Sequence, residues 1–512
     1  MGRGGADLIS PQRSWRERTF SRIGAGSVRS TICSLCCSAI GMGVLLLPYT
    51  VAQVGPLCTA ALLVIGCLAS YASLRLCCAG MHAARTNSYV DTLTVLFSER
   101  FAAILTLMLV VACVGHCCGY LVFASQLVTQ LAQVAGAPAV LCRRDVIVVL
   151  ASAFMVFPLS LSKNLSDLRY FTLFSITGLT CLVFVVIFRT PRYFGGVVLE
   201  PGWWWRMPDP WSLPKCLSLC CTAYVVHMNV FSCYAELENP TAARMNKVLK
   251  RAAYLESVLY ASVSICGFLS FGADTPDNIL RAYDLDDRLA NLGRFFISFQ
   301  LLLAVPLTVH PARLQLWPLL QMAFGIGAKR PRSARAADGA AQGPEAGGSI
   351  VPVFRLLKNK LRLVSAPPSP AAQGQEDSEV PGQQAQGEKE GPPAEALLAG
   401  SGPEAMPQHV HVLLTVAIVV FSAFVAVKVE SASDLLGIVG GFAAVTYAYL
   451  LPTEIAQKLR RAPPAGMDWS SSPAAFVAGP CGPAVVAALR ICSILGYIGA
   501  AQCAWAVIVQ AS

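Results

Sequence analysis

Long apolar stretches separated by short polar segments run along most of the chain. About eleven of them can cross a bilayer, because about 20 apolar residues span its hydrocarbon core. They lie at 30–54, 57–78, 101–132, 146–162, 170–189, 214–235, 252–272, 293–315, 409–428, 434–452 and 484–509. A single apolar segment in lipid must satisfy its own backbone hydrogen bonds, which a helix does. The pattern therefore predicts an all-α polytopic membrane protein.

The first apolar stretch contains an interruption near its middle. Gly41-Met42-Gly43 places two glycines within a run that is otherwise suited to a helix. Glycine weakens a helix because it loses the most backbone freedom on ordering. Non-helical backbone at membrane depth is tolerated where it lines a cavity or is buried in protein. The interruption predicts a broken helix at a transport site, although a glycine pair also permits close helix packing.

The sixth stretch is the expected counterpart, because transporters of this kind are often built from two inverted repeats of about five helices. It carries an unusual density of polar side chains for a membrane span: Thr222, Tyr224, His227, Asn229 and Ser232. Polar residues at this depth usually face a cavity or another helix. We expect a second break here, with hydrogen bonds between packed helices as the alternative explanation. No glycine or proline marks the position.

Charge is sparse and lies mainly outside the spans. Only 13% of residues are charged, against about 25% in soluble domains, and the net charge is +10. The basic residues flank the spans, which the positive-inside rule explains without a nucleic-acid partner. We expect a cytoplasmic amino terminus.

The expected organisation has four parts. They are a basic cytoplasmic tail at 1–29, transmembrane helices 1 to 8 at 30–327, a disordered cytoplasmic loop at 328–408, and helices 9 to 11 at 409–512. The loop is too poor in apolar residues to fold alone. Within it, Phe354, Leu357, Leu361 and Val364 recur at helical spacing between basic residues, which predicts an amphipathic helix or a transient one.

Enzymatic and metal-binding motifs are weak or missing in the sequence. It shows no paired carboxylates, zinc-protease motif, nucleophile elbow or phosphate-binding loop, so we expect no enzyme. His116 is next to several cysteines, but no second cluster completes four ligands, and we interpret it as a packed histidine. We expect no cofactor beyond a coupling ion, and no essential disulfide among the twenty cysteines, most of which lie in apolar runs.

Several motifs resemble those of the amino acid/auxin permease family, notably its sodium-coupled neutral amino acid transporters. The similarity extends over most of the chain outside the tail and the 328–408 loop. The matching segments are SAIGMGVLLLPY with AQVG in the first span, His227 with Tyr234–Leu237, Asn239-Pro240 and Arg244-Met245, Phe268–Gly272, Asp434–Gly440, and Tyr449–Pro452.

The resemblance implies an eleven-helix LeuT-type fold with a 5+5 inverted repeat and broken first and sixth helices. It also implies amino acid transport coupled to Na⁺ or H⁺. The unwound first-span segment would hold the substrate's carboxylate and amino group, a role consistent with free N–H groups at a half-helix start. The candidate substrate-binding residues are Ala39, Ile40, Gly41, Met42, Gly43, Thr222, Tyr224, His227 and Asn229.

The sequence leaves both Na⁺ and H⁺ open as the coupling ion. Ser38 stands where the sodium-coupled members have an asparagine, and Leu301–Val305 has no hydroxyl where they have a threonine-bearing stretch. Both differences weaken the prediction of a sodium site, so a proton or facilitated diffusion is as well supported. Ser38 and His227 are the candidate ion-coupling residues, His227 because its charge changes near physiological pH; a neutral histidine bonded between helices is the alternative.

Substrate class follows from the placement of acidic residues. Glu236 and Glu256 are expected near cytoplasmic helix ends, which leaves no carboxylate clearly at mid-span. A site for a cationic side chain normally uses a carboxylate, so we expect the substrate to be a neutral amino acid. We expect the protein to be a monomer. Its lipid bilayer would be the plasma membrane or the membrane of an acidic organelle such as a vacuole or lysosome. A transporter-like amino acid sensor that signals through its cytoplasmic parts is the alternative function.

Overall fold

The structure is a computed structural model that describes most of the predicted membrane region. The described residues are 26–84, 86, 89–162, 169–194, 201–205, 207–238, 240–324, 406–429, 431–461 and 482–511. The first 25 residues and nearly all of the 328–408 loop, with its predicted amphipathic helix at 354–364, lie outside them.

Within these residues every regular element is helical. The first eight α-helices are α1 (Val28–Ala39), α2 (Gly43–Val54), α3 (Pro56–Ala84), α4 (Tyr89–Leu96), α5 (Glu99–Val134), α6 (Arg144–Ala151), α7 (Phe157–Ser160) and α8 (Arg169–Phe194). A π-helical turn at Ser152–Val156 joins α6 to α7.

The second half continues the pattern. Its α-helices are α9 (Leu213–Ala223), α10 (His227–Ala235), α11 (Ala242–Phe271), α12 (Arg288–Phe324), α13 (Gln408–Lys428), α14 (Ala432–Val439), α15 (Leu451–Arg461) and α16 (Gly482–Ala511). Short 3₁₀ turns lie at Pro210–Ser212, Gly272–Asp274 and Ile279–Arg281. Two π-helical segments, Gly440–Ala444 and Thr446–Leu450, connect α14 to α15.

These helices confirm a multi-pass membrane protein. Each of the eleven predicted spans contains described helix. Seven helical stretches in the described residues are long and apolar enough to cross a membrane unaided, and Gly43–Val54 is a shorter apolar helix. The first and sixth spans are each divided in two, as the sequence predicts.

The chain divides into two units, residues 1–315 with 414–512, and residues 316–413. All packing discussed below lies within the first unit, which contains both helix breaks. In its described part, the second unit consists of the end of α12 and the beginning of α13.

Helix α11 lies at the centre of the first unit's packing. It contacts α1, α2, α3 and α8, so it touches both halves of the broken first span. Gly267 on α11 allows the approach, because a Cβ there would lie 2.5 Å from Pro48 of α2. Helix α9, the first half of the sixth span, packs on α2, α3 and α16. The two broken spans therefore contact each other through α2 and α9, and both pack on α3.

Polar residues fix where several of these helices begin. The side chains of Ser27, Thr241 and Ser431 accept hydrogen bonds from the backbone N–H three residues later, at the starts of α1, α11 and α14. Such caps satisfy N–H groups that have no partner inside the helix. Their positions in the sequence indicate the helix starts directly.

Candidate functional site

The first break lies at Ile40–Met42. Helix α1 ends at Ala39, and Ile40 leaves the helical region with φ −83° and ψ 76°. The N–H of Gly41 turns back to the carbonyl oxygen of Ala39 at 2.9 Å, and α2 begins at Gly43. The break therefore falls at the glycine pair that marks it in the sequence.

The second break lies at Tyr224–Val226. Helix α9 ends at Ala223 and α10 begins at His227. The N–H of Tyr224 bonds to the carbonyl of Cys221 at 3.2 Å, and that of Val225 bonds to Thr222 at 3.1 Å, so the helix tightens before it stops. No glycine or proline lies at this position, so the interruption depends on what surrounds it.

The two breaks are in direct contact. A Cβ on Gly43 would lie 3.0 Å from the Cβ of Ala223, so the start of α2 touches the end of α9. The hydroxyl of Tyr260, on α11, lies 3.1 Å from the carbonyl oxygen of Ala39 and 2.7 Å from that of Ala223. A phenol has one proton to donate, so Tyr260 bonds one of these two carbonyls at a time and links the geometry of both breaks.

Other neighbouring side chains donate to the remaining break carbonyls. Gln300 of α12 approaches the carbonyl of Ile40 at 3.4 Å through its amide nitrogen. Ser70 of α3 donates to Tyr224 at 2.8 Å. Tyr449, in the π-helical part of the tenth span, donates to Cys221 at 3.1 Å. Neutral hydroxyl and amide groups thus replace the helical hydrogen bonds that the breaks remove.

The start of α2 supplies the complementary donors. Among the described residues, none accepts a hydrogen bond from the backbone N–H of Met42 or Gly43. These groups are at a helix start, where the helix dipole favours negative charge. The ring of Tyr120 on α5 faces Gly41, 3.3 Å from where its Cβ would be. Free N–H groups and polarised carbonyls side by side can bind the carboxylate and ammonium of one small zwitterion.

The predicted binding residues divide into two groups. Ala39, Ile40, Gly41, Met42 and Gly43 form the first break, and Tyr224 forms part of the second. Thr222 is beside the second break, but its hydroxyl bonds to Ser218 of its own helix at 2.7 Å and its side chain packs against Gly440. Asn229 lies half-buried further along α10. Ser38 is in the last turn of α1, and its side chain lies outside the described part of the structure.

The contacts of His227 are with α3 and the tenth span. Its Nε2 is 2.5 Å from the hydroxyl of Ser73 on α3, and the rings of Tyr447 and Tyr449 approach it edge-on at 6.3 and 6.1 Å. The imidazole is fully buried, and its Nδ1 makes no hydrogen bond to a described residue. This environment agrees with a neutral histidine between helices; its predicted coupling role stays a prediction.

One sequence-based placement is wrong. Glu256, expected near a helix end, is the fifteenth residue of α11, because α11 begins at Ala242, about 20 Å earlier along the helix. Its side chain is 3% exposed and one helical turn before Tyr260. The premise that no carboxylate lies deep in the bundle therefore fails.

Sequence reasoning also missed the neighbours that hold the breaks. Tyr260, Gln300, Ser70 and Tyr449 each contact a break carbonyl, yet none is in a broken span. The available signal was the rule that polar residues inside spans face the bundle interior. In the tenth span, the glycines of GIVGG were a second signal. The π-helical segment begins at Gly440, and π-helical turns often lie at functional sites.

Comparison with known proteins identifies amino acid transporters as relatives of this chain. The model of the family described as "Transmembrane amino acid transporter protein" matches residues 24–491. Among curated proteins, Vacuolar amino acid transporter 6 of Saccharomyces cerevisiae is 26% identical, covering 85% of this chain and 90% of that protein. AAT1 of Toxoplasma gondii is 30% identical over 64% of this chain and 45% of its own length. The chain spans about half the length of the AAT1 relatives it matches.

Among solved structures, the crystal structure of MhsT in complex with L-phenylalanine aligns with a TM-score of 0.47 and 13% sequence identity. The alignment covers 94% of this chain and 100% of that one.

Proposed function

The chain belongs to the transmembrane amino acid transporter family, and from that membership we propose that it is a secondary transporter that carries a neutral amino acid by alternating access. The substrate's carboxylate binds the N–H groups at the start of α2. Its ammonium binds the carbonyls of the two breaks. Transport is coupled to H⁺ or Na⁺.

The contact between the two breaks carries this proposal. A helix broken once can be a packing defect, but two breaks that share one donor, Tyr260, form a single polar locus between halves of the bundle. Substrate that takes over the carbonyls of Ala39 and Ala223 would release Tyr260. Binding would then change how α1 and α9 are held against α11, which is what an alternating-access cycle requires.

A neutral substrate is supported by the groups at the breaks rather than by the placement of acidic residues. The described side chains that donate to break carbonyls are the hydroxyls of Tyr260, Ser70 and Tyr449 and the amide of Gln300. These groups are uncharged, so they can accompany the charged ends of a zwitterion without placing a fixed charge beside the substrate's side chain.

The coupling ion is a separate question. Leu301 and Val305, both buried on α12, offer no hydroxyl oxygen to a hard cation such as Na⁺.

The proposal includes an acidic compartment as one location. The relatives from Saccharomyces cerevisiae are named vacuolar transporters. We propose that this chain works in the membrane of such an organelle or at the cell surface, with its amino terminus in the cytoplasm.

Flux through purified protein tests the function directly. The protein is reconstituted in proteoliposomes loaded with an unlabelled amino acid mixture, and each of the twenty radiolabelled amino acids is added outside. We expect counterflow of neutral amino acids above empty liposomes. Saturable binding without flux would instead identify the chain as an amino acid sensor.

Replacing external Na⁺ by choline tests the coupling ion. We expect substantial uptake to remain at acid pH, because Leu301–Val305 supplies no hydroxyl ligand. The measurement is the initial uptake rate in the two salts at matched pH and membrane potential. Complete loss of uptake in choline would mean that the chain has a sodium site built from other oxygens.

A further inference from the structure

Glu256 is a deeply buried carboxyl group that has no assigned role in substrate binding. It lies on the face of α11 that packs against α1 and α3, and its side chain is 3% exposed. Its Oε1 makes no hydrogen bond to any described residue. A buried polar atom without a partner is costly, and a buried charge without one far more so. An acidic side chain within a membrane bundle is therefore a functional candidate.

The surroundings of Glu256 contain no compensating positive charge among the described residues. From α1, the thiol of Cys36 contacts the carboxyl group. Cys67 of α3, Tyr224 at the second break and Tyr260 on the same helix are the other titratable groups close enough to interact with it electrostatically. Helices α2 and α8 add none among their described side chains.

The basic residues that precede Glu256 on its own helix do not compensate it. Lys250 and Arg251 are exposed. All the titratable neighbours are thus groups that are neutral when protonated. With its side chain buried as it is here, the state of lowest cost is a protonated, uncharged Glu256.

The same neighbours argue against a bound metal cation. Na⁺ is a hard cation that requires several oxygen ligands, whereas thiol sulfur suits soft metals. The neighbours from α1 and α3 are thiols, Cys36 and Cys67. The phenol oxygens nearby are already engaged, that of Tyr224 with Ser257 and that of Tyr260 with the break carbonyls. A proton needs only one oxygen and fits this pocket.

Glu256 is also mechanically linked to the breaks. Tyr260 follows it by one turn on the same helix face, and the Tyr260 hydroxyl contacts both Ala39 and Ala223. Cys36 lies three residues before Ala39 at the end of α1. A movement of α1 away from α11 would therefore uncover Glu256 and break the contact with Tyr260 together.

We propose that Glu256 is the residue whose protonation couples amino acid transport to a proton gradient; this rests on the proposed function. When α1 moves away, water reaches the carboxyl group, which releases its proton to that water and becomes a carboxylate. The uncompensated carboxylate opposes closure of the bundle. Closure follows when a proton from water on the accessible side returns to the same oxygen.

Glu256→Gln tests the proposal, because glutamine imitates the protonated carboxyl group but cannot release a proton. The wild type and E256Q are reconstituted in proteoliposomes containing a pH-sensitive dye, with the amino acid that gives the largest wild-type counterflow as the probe. We expect E256Q to retain counterflow, since exchange needs no net proton movement. We expect it to lose uphill accumulation driven by an imposed pH gradient and the accompanying dye signal.

Two further variants make the result specific. Glu99→Gln removes an exposed carboxylate at the start of α5 and should leave accumulation unchanged. Glu256→Asp keeps a titrating group, and we expect it to retain proton-driven accumulation at a lower rate with an altered pH profile. It also keeps the test available where E256Q fails to reconstitute.

The outcomes separate the two proposals. Accumulation by E256Q equal to that of the wild type would overturn the role of Glu256. Wild-type accumulation driven by a Na⁺ gradient and indifferent to pH would overturn it too, while the transport function would stand. Absence of any amino acid flux in the wild type, with intact folding, would overturn the proposed function itself.

Discussion

The two helix breaks that meet at Tyr260 have different origins. The break at Ile40–Met42 is encoded locally, because Gly41 weakens the helix and Gly43 lets α2 touch Ala223. The break at Tyr224–Val226 occurs in a segment without glycine or proline. There, Ser70, Tyr260 and Tyr449 donate to the carbonyls of Tyr224, Ala223 and Cys221. One break is a property of its own sequence, and the other is maintained by its neighbours.

The two origins show which parts of a sequence carry information about a membrane site. A helix can be interrupted by making it intrinsically weak, or by offering its carbonyls better partners elsewhere. Mutations that act on the first break should therefore be found in the broken segment itself. Mutations that act on the second break should be found on other helices.

The largest effect should come from filling the contact between the breaks. In Gly43→Leu the added side chain begins 3.0 Å from the Cβ and 3.1 Å from the Cα of Ala223, so α2 or α9 must shift to admit it. Overpacking a tight interior costs about 3 kcal/mol at its upper range, roughly a 150-fold loss of apparent affinity. We expect transport to be abolished while the protein still folds and remains in the membrane. Substrate binding tests the first expectation, and the elution profile of the membrane-extracted, detergent-solubilised protein tests the second.

The matched control for Gly43→Leu is Ala139→Leu, in an exposed loop. It introduces the same residue, leucine, away from both breaks, and the variant should bind substrate normally. Unchanged affinity in Gly43→Leu would remove the first break from the binding site.

Tyr260→Phe acts on both breaks at once and should have the next largest effect. Loss of the hydroxyl leaves the carbonyl of Ala223 without its side-chain donor, whereas Ala39 keeps the N–H of Gly41. A buried acceptor left unpaired costs about 1–3 kcal/mol. Because substrate would take over this carbonyl, the cost is borne by the substrate-free protein, and a central value of about 2 kcal/mol corresponds to roughly 30-fold tighter apparent substrate binding.

Tyr254→Phe provides the control on the same helix, because Tyr254 is 72% exposed. Substrate affinity and thermal stability of both variants are measured in the same detergent. Equal behaviour of the two variants would show that Tyr260 is a packing residue without influence on the breaks.

Much of the fold was predictable from the sequence, and the site only in part. Apolar length located the spans, and Gly41-Met42-Gly43 located the first break, because both signals are local. The polar density from Thr222 to Asn229 indicated the second broken span. Glu256 was misplaced because apolar length alone does not show where a helix starts; α11 extends back to Ala242 through basic residues.

The donors on other helices were not predictable for a different reason. Tyr260, Gln300 and Tyr449 are far from the breaks in sequence, and their roles depend on which carbonyl each one reaches after the helices pack. Their residue types suit many interhelical contacts. Only the packed structure assigns Tyr260 to Ala39 and Ala223.

Tyr449→Phe should give the smallest of the three effects, and it isolates the contribution of the tenth span to the second break. Its hydroxyl donates to the carbonyl of Cys221, which also accepts the N–H of Tyr224, so the carbonyl keeps one partner when the hydroxyl is lost. A net hydrogen bond contributes about 1 kcal/mol, which corresponds to roughly a fivefold change in apparent affinity. The same binding measurement as for Tyr260→Phe applies, with Tyr254→Phe again as the reference. If Tyr449→Phe changed binding as much as Tyr260→Phe, the second break would depend on the tenth span rather than on α11, and the shared donor would no longer explain how the breaks act together.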